Sequence, residues 1–440
     1  MRWPHCFLTC PARHPDGRST GGPFVSFPAV MVKRVLFVHH GENWIRGSER
    51  AMLDLAAALP AYGWKVSVIC TAEAVVTEAR ALGIQAERFD PSPRRGLFPR
   101  RDELKLWRSV LLDKRPSVVH VNDMHFLPPL IACALYMRVP LLVHQHILAD
   151  AFSRLYSLMH QASAIVTISR EAEAAVANDG YPRSRLHRIP NGVPLRPAMT
   201  PVNIREIVGA DEGDAVAVSV GSLIERKGHD RTLRGVRQAL DSGARVRLAI
   251  IGSGPERAAL AALSDQLGIS ERVYFLGERA DVQALLQNAD CFIAAAHEEV
   301  QPLSVIEAML CGLPVIASDI SAHREMVDVE AGGVVVDASD AQAFGNAIVD
   351  LAGRRAELHQ QRPRVAKHAA ERYSFIRYVE RFVQLYQSLA QTPRQEYGFR
   401  RGVRRVPAYA TWLSAALRRR LIDPDLRWTP TELPRSLTRE

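Results

Sequence analysis

The chain has no run approaching the roughly 20 uninterrupted apolar residues that a bilayer-spanning helix needs, which points to a soluble or peripheral protein. It is also poor in cysteine. Six thiols in 440 residues, at positions 6, 10, 70, 133, 291 and 311, form no disulfide framework, and the last four sit in apolar contexts, as buried thiols of a reducing cytoplasm do. Metal-ligand spacing is missing too. The nearest approach, Cys6 and Cys10 beside His5 and His14, is a chance cluster in a leader rich in proline and glycine. That leader, residues 1–30, lacks the compact apolar stretch of a secretory signal. Because Met31 directly precedes VKRVLFVHH, the leader reads as a disordered extension or a misassigned start. The formal net charge of +9 lies at the ends: residues 393–440 carry eleven arginines against five acids, and residues 1–30 three against one. The body is therefore close to neutral and shows no recognition module, which argues against a nucleic-acid partner.

What is present is a hydrophobic content of 47%, enough for well-filled cores, on a chain too long for one of them. Downstream of Met31, short β-branched runs alternate with longer helical patterns, as parallel sheets with crossover helices require. Strands are expected at 35–38, 66–70, 118–121, 141–144 and 165–168 in the first half. In the second half they are expected at 216–220, 246–251, 273–276, 291–294, 315–317 and 334–336. The expected fold is α/β, with two Rossmann-like domains over 31–195 and 196–375 joined near the proline-rich stretch 194–201. Ser374 can cap a helix over 376–391 whose apolar positions Tyr378, Val379, Phe382, Leu385, Tyr386 and Leu389 keep helical spacing, and residues 392–440 form a basic tail.

Several loops between these elements carry chemistry. In EVQPLSVIE, seven residues separate Glu299, in a loop after a buried strand, from Glu307, expected in about the first turn of the next helix. Loose backbone N–H groups at such a helix start favour an anionic or hydroxyl-rich ligand, with Pro302, Leu303 and Ser304 lining it. In VSVGSLIERKGHDRTL, Gly221 follows a strand, and Lys227 and Gly228 precede a helix, an order suited to a diphosphate. Gly47 permits a close backbone turn ahead of a helix with a core face of Met52, Leu53, Ala56 and Leu59, and Glu49 is placed to cap that helix. The strand VPLLVHQHI sets His144 and His146 on one side, a geometry that suits either a metal or a satisfied core pair. Asn191 and Gly192 suit a tight turn. Gly252 and Gly254 give the G-x-G of a dinucleotide fingerprint, but Arg257 stands at the third glycine, which disfavours an NAD-dependent oxidoreductase.

These motifs, in this order, resemble the family-4 retaining glycosyltransferases (group 1), which have the GT-B architecture; the resemblance spans about residues 31–390. It rests on the E-x7-E element, the glycine loop with Ser48 at the second glycine, His146, HRIPNGVPL, the Gly221–Lys227–Gly228 element, IIGSGP and VYFLGERAD. It implies a nucleotide-diphosphate sugar as co-substrate, no cofactor and no required metal, a glycan or lipid-linked acceptor, and a site in the cleft between domains. By the same resemblance, Gly47 and Ser48 meet acceptor and donor phosphates. Lys227 and Gly221 hold the diphosphate, with Gly252 close by. Glu307 holds the ribose, and backbone groups near Glu278 and Arg279 meet the base. Glu299 grips the donor sugar and His146 orients the reacting sugar and acceptor. The final helix is implied to cross back onto the first domain. Arg226 is placed to replace the arginine that Ser222 displaces. Val300 and Gln301 stand where a glycine and an aromatic residue are usual, so the sugar is left unnamed. The remaining alternative is a binding subunit with a weakened phosphate site. In the tail, Tyr409, Trp412, Leu413, Ala416 and Leu417 recur at helical spacing ahead of Arg418, Arg419 and Arg420. This pattern suits either a helix packed on the protein or contact with an anionic membrane surface from the cytoplasmic side.

Overall fold

The computed structural model describes residues 33–392, apart from 43, 90–100, 125, 197–201, 328, 330–331 and 338. The leader, the basic tail, Cys6 and Cys10 lie outside the described residues. Two parallel sheets account for the architecture. The first has seven strands: β1 Arg34–His39, β2 Lys65–Cys70, β3 Gln85–Arg88, β4 Val118–Val121, β5 Leu141–Gln145, β6 Ala164–Thr167 and β7 Leu186–Arg188, in the order β3-β2-β1-β4-β5-β6-β7. The second has six: β8 Ala215–Val220, β9 Val246–Ile251, β10 Val273–Gly277, β11 Cys291–Ala294, β12 Val315–Ser318 and β13 Val334–Val336, in the order β10-β9-β8-β11-β12-β13. All the strand pairs are parallel. Helices cover both faces of each sheet, so central strands such as β4 and β5 are buried along their length and read as continuous apolar runs.

Every strand expected from an apolar run is present, and two further strands escaped that criterion. β3 (QAER) and β7 (LHR) are edge strands with a mostly half-exposed or exposed profile, so neither needs the Val/Ile content that marks a strand covered on both faces.

The last helix decides how the two halves are joined. Ser374 caps the helix Phe375–Gln391, its hydroxyl accepting the Arg377 N–H at 3.3 Å. The apolar stripe of this helix does not pack on the sheet that precedes it. Tyr378, Val379, Phe382, Leu385, Tyr386 and Leu389 belong to one buried cluster with Val35, Phe37, Val68 and Leu142 of the first sheet. Tyr386 Oη lies 2.5 Å from His120 Nδ1, and Phe382 stacks on the His120 ring at 5.5 Å between centroids. His120 and His144 are thus core histidines, fully buried, and burial pushes both rings well below the ordinary histidine value.

Asn191 and Gly192 do not form the expected turn. Val193 bridges Ser374 in parallel, and Gly192 is pressed against the start of the last helix, where a Cβ would lie 2.7 Å from both Phe375 Cα and Tyr378 Cβ. The glycine is needed for close approach, not for a left-handed conformation. Cys311 also differs from expectation in being only partly buried; Cys70, Cys133 and Cys291 are buried free thiols. No helix among the described residues is long and apolar enough to cross a membrane.

Gly192→Ala is expected to lower stability by about 1–3 kcal/mol through overpacking at this crossing. Urea denaturation followed by far-UV circular dichroism measures it; an unchanged midpoint would mean that the strand and helix separate at no cost.

Candidate active site

In an open parallel sheet, a crevice forms where the strand order reverses, outside the carboxyl ends of the two strands that flank the reversal. The reversals fall between β1 and β4 in the first sheet and between β8 and β11 in the second. Most of the site residues expected from the motifs collect at these two crevices.

At the second crevice, β8 runs into Gly221, a single 3-10 turn Glu225–Lys227, and Gly228, which starts the helix His229–Asp241. Gly228 has φ 63° and sits so close to the end of β11 that a Cβ would collide with the Ala295 carbonyl. Only glycine satisfies both demands. The loop after β11 returns the contact, the His297 N–H donating to the Arg226 carbonyl at 2.9 Å. The consequence is a meeting of charges. Lys227 Nζ donates to Glu299 Oε1, Arg226 Nη1 lies 3.2 Å from Glu299 Oε2, and Arg226 also donates to the Glu298 carbonyl at 2.8 Å. Burial alone would raise the Glu299 carboxyl, but the two cations outweigh it and hold it below its ordinary value. A cavity of about 20 Å³ beside this pair is lined by Ser219, His229, Pro302, Ser304 and His323.

Glu307 is the fifth residue of the helix Leu303–Leu310, just past its first turn, and its neighbours differ from those of Glu299. Gln283 Nε2 donates to Glu307 Oε1 at 3.4 Å, and burial pushes the Glu307 carboxyl up. Gln283 is a junction that the motifs did not reveal. Its amide nitrogen also reaches the Pro194 carbonyl at 3.1 Å, its oxygen accepts the Arg196 N–H at 2.8 Å, and Arg196 pairs with Asp54 of the first half at 2.6 Å. Gln301 makes a second crossing, accepting the Asn191 N–H at 2.6 Å. Gly252, at the end of β9, donates to the Gly277 carbonyl at 2.8 Å; Ser253 Oγ donates to Glu278, and Arg279 is held by Asp281 at 2.6 Å. Glu278 and Arg279 thus follow the edge strand β10, next to Gly252, and take no part in the ion pairs of Glu299.

The first crevice faces Leu303. Gly47 opens the helix Gly47–Ala58, and a Cβ on it would lie 3.5 Å from Leu303 Cγ, so the glycine loop and the E-x7-E segment meet. Glu49 does cap this helix, accepting the Arg46 N–H at 3.1 Å. It does more: its other oxygen lies 3.0 Å from Nε2 of His39, whose Nδ1 is 3.1 Å from Asp123 Oδ2. Burial would push the His39 ring down, but its close contacts with the Asp123 and Glu49 carboxylates, together with their charges, raise it to about 9. The imidazolium correspondingly holds Glu49, against burial, at about 2. His146 does share a side with His144, ring centroids 4.0 Å apart, but its Nε2 pairs with Asn122 Oδ1 at 2.9 Å, and Asn122 Nδ2 donates to the Ser48 carbonyl at 3.3 Å. Burial, and then the charge of His39, push the His146 ring down to about 4. Among the described residues, no group of three or more His, Cys, Asp or Glu is arranged to hold a metal ion. His39, Asn122, Asp123 and Gln283 carry no motif signal, because each acts through partners distant in sequence.

Comparison with known proteins agrees with this architecture. Residues 45–196 match Glycosyltransferase Family 4, and residues 202–370 match Glycosyl transferases group 1. The chain belongs to the family-4, group 1 glycosyltransferases, and its fold is GT-B. It is 32% identical over 201 residues to a D-inositol 3-phosphate glycosyltransferase of Mycobacterium sp. (strain KMS), over 43% of this chain and 44% of that protein. It is 27% identical over 286 residues to a GDP-mannose-dependent alpha-(1-6)-phosphatidylinositol dimannoside mannosyltransferase of Mycobacterium tuberculosis, over 61% of this chain and 73% of that one. The chain spans about half the length of the first curated relatives it matches. Among solved structures, Anabaena Alr3699/HepE in complex with UDP and glucose superposes with a TM-score of 0.70 at 20% identity, covering 81% of this chain and 100% of that one.

The double load on Glu299 carries a testable consequence. Glu299→Gln is expected to leave Lys227 and Arg226 without their counter-charge, and so to tighten binding of a nucleoside diphosphate by several-fold, about one charge-assisted contact. Titration calorimetry with UDP and GDP measures this; weaker binding by both would show that Glu299 orders the cations rather than competing for them.

Proposed function

We propose that this protein is a retaining glycosyltransferase that moves a sugar from a nucleotide-diphosphate donor to a glycan or lipid-linked acceptor, in the cleft between the two sheets and without a metal ion. The observation that carries the reading is the convergence of Lys227, Arg226 and Glu299 at the strand-order reversal of the second sheet, opposite Gly47 and Ser48 of the first. Lys227 and Arg226, with backbone N–H groups at the start of the helix His229–Asp241, would stabilise charge developing on the leaving diphosphate, the task otherwise given to a divalent cation. Glu307 would hold the ribose. Glu299, released from its cations when phosphate arrives, would take hydroxyls of the donor sugar. His146, uncharged because of its burial and the neighbouring imidazolium, would act as a neutral hydrogen-bonding group towards donor and acceptor. The hydrogen bonds from Gln283 and Gln301 to the segment between the sheets would hold the halves closed, excluding water and limiting hydrolysis of the donor.

The named relatives give the acceptor class some direction. One acts on D-inositol 3-phosphate and another on a phosphatidylinositol dimannoside, both phosphorylated polyols, so a glycolipid or surface-glycan precursor is the acceptor proposed here. A second reading, a binding subunit of the same fold, draws on Ser222 in place of an arginine and on the pairing of both cations with Glu299. Incubation with a panel of nucleotide sugars, following slow release of free sugar and its anomeric configuration, separates the two. Release with retained configuration supports the enzyme; binding without turnover for every donor supports the subunit.

Lys227→Ala is expected to weaken binding of the nucleoside diphosphate by about 1.5–3 kcal/mol, the worth of a hydrogen bond to a charged group, while leaving the free nucleoside almost unaffected. Equal losses for both ligands in calorimetric titration would remove Lys227 from the phosphate site.

A further inference from the structure

The first crevice contains a closed ring of polar contacts built around a residue that no motif marks. His39 ends β1 and is 3% exposed. Its two ring nitrogens face carboxylates from two different elements, Glu49 at 3.0 Å from the helix Gly47–Ala58 and Asp123 at 3.1 Å from the turn after β4. Each carboxylate then holds a loop. Glu49 accepts the Arg46 N–H at 3.1 Å and the Ser48 hydroxyl at 2.9 Å, and Asp123 accepts the His40 N–H at 2.5 Å. Asn122, next to Asp123 in the chain, reaches the Ser48 carbonyl and His146 Nε2, which closes the ring. Gly41 folds over the imidazole, 3.2 Å from Nε2 to where a Cβ would stand, and Thr71 exchanges hydrogen bonds with both the N–H and the carbonyl of Gly41 at 3.1 Å. The other titratable groups that sense this centre are the Cys70 thiol of β2 and the His146 ring after β5.

An uncharged histidine could donate to one of the two carboxylates but would give neither a counter-charge, which is costly for the buried Glu49 above all. A hydrocarbon side chain would offer neither donor nor charge. The ring therefore needs one residue that presents positive charge in two opposite directions.

We propose that His39 is a positioning residue of the transfer site: by hydrogen-bonding Glu49 through Nε2 and facing Asp123 as a charge partner on its Nδ1 side, it fixes the glycine loop against the end of β4 and thereby sets Ser48 and His146 in register with the donor loops of the second sheet. This rests on the transfer reading given above. His39 is buried, so its effect on a substrate would run through Ser48 and His146. Its second effect is electrostatic, since its charge is one of the two influences that keep His146 neutral.

The test uses the full chain with histidine-selective ¹⁵N labelling. In the unaltered protein, His39 is expected to carry protons on both nitrogens at pH 7 while His146 carries one; a neutral His39 at that pH overturns the proposal without any variant. His39→Gln, which retains one donor direction, and His39→Leu, which retains none, are then compared. Transfer is expected to fall on the order of ten- to a hundred-fold, more for Leu than for Gln, the scale of a site displaced by about 1 Å. Nucleoside-diphosphate affinity, to which Lys227 and Arg226 of the second sheet contribute most, is expected to fall far less than transfer, and the His146 pKa to rise as the neighbouring positive charge disappears. Folded variants that keep the wild-type His146 titration and rate overturn the proposal, as does loss of nucleotide affinity in step with transfer, which would indicate general destabilisation. If the unaltered chain turns over no nucleotide sugar, the transfer reading fails, and the protonation of His39 and the response of His146 still decide whether the ring is organised as described.

Discussion

The docking of the last helix onto the first sheet is the constraint on which the rest of the molecule depends. The helix Phe375–Gln391 follows the second sheet in sequence but completes the hydrophobic core of the first, with Phe382 and Tyr386 packed on the buried rings of His120 and His144. The chain thus crosses between halves twice, once near residues 189–196 and once near 373–375. The two crossings touch at Val193 and Ser374, where Gly192 allows the backbones to meet. Neither half can move far without straining that contact. The relative setting of Gly47 and Leu303 is consequently a property of the whole fold and not of the cleft residues alone.

The cleft adds polar contacts to this mechanical link, and these select a setting. Gln283 and Gln301 both belong to the second half and both bond backbone groups of the connecting segment, while Arg196 of that segment reaches Asp54. On the opposite side, Glu325 accepts the Arg170 N–H at 2.9 Å and pairs with Arg188 at 3.1 Å. Neutral amides at Gln283 and Gln301 carry no desolvation cost comparable to that of a buried charge, so such contacts can break and reform during opening more cheaply than buried ion pairs. The presence of Gln301 where an aromatic residue is usual in the resembling family acquires a physical reason here. Its amide is used for the crossing, accepting the Asn191 N–H.

Much of the fold was legible in the sequence because parallel strands covered on both faces must be apolar throughout, and runs such as VVHV, LLVHQ and VRLAII announce themselves. β3 and β7 were not, since an edge strand has no such requirement and QAER is as polar as any loop. The site divides in the same way. Gly221, Lys227, Gly228, Glu299 and Glu307 lie in short ordered motifs whose chemistry depends on local spacing, and four of them, all but Glu307, come together at the second crevice. Glu307 stands apart because the helix begins at Leu303, after Pro302, which sets its carboxylate just past the first turn and beside Gln283. The His39 ring left no trace in the sequence because its members stand 10 and 84 positions apart, and a histidine at the end of a strand resembles an ordinary solvated residue. The Asn191–Gly192 pair gave a misleading turn signal, as any Asn-Gly pair does when its glycine is needed for packing.

The electrostatics of the two crevices differ in a way that bears on how the site works. In the first, the His39 ring is buried between two carboxylates, and the arrangement is self-contained in its contacts though one negative charge is in excess: each group has its partner inside the protein, with only Asp123 partly open to solvent. In the second, two cations share a single carboxylate, leaving one positive charge in excess and Arg226 half exposed. A self-contained network resists a ligand, because any new charge would have to break an existing pair. A cluster with a surplus cation invites an anion, because Glu299 can surrender Lys227 to a phosphate and still remain beside Arg226. The first crevice is therefore built to hold geometry and the second to exchange partners, and the proposed transfer would use both: a fixed platform on one side of the cleft and, on the other, charges that can rearrange as an anionic ligand arrives and leaves.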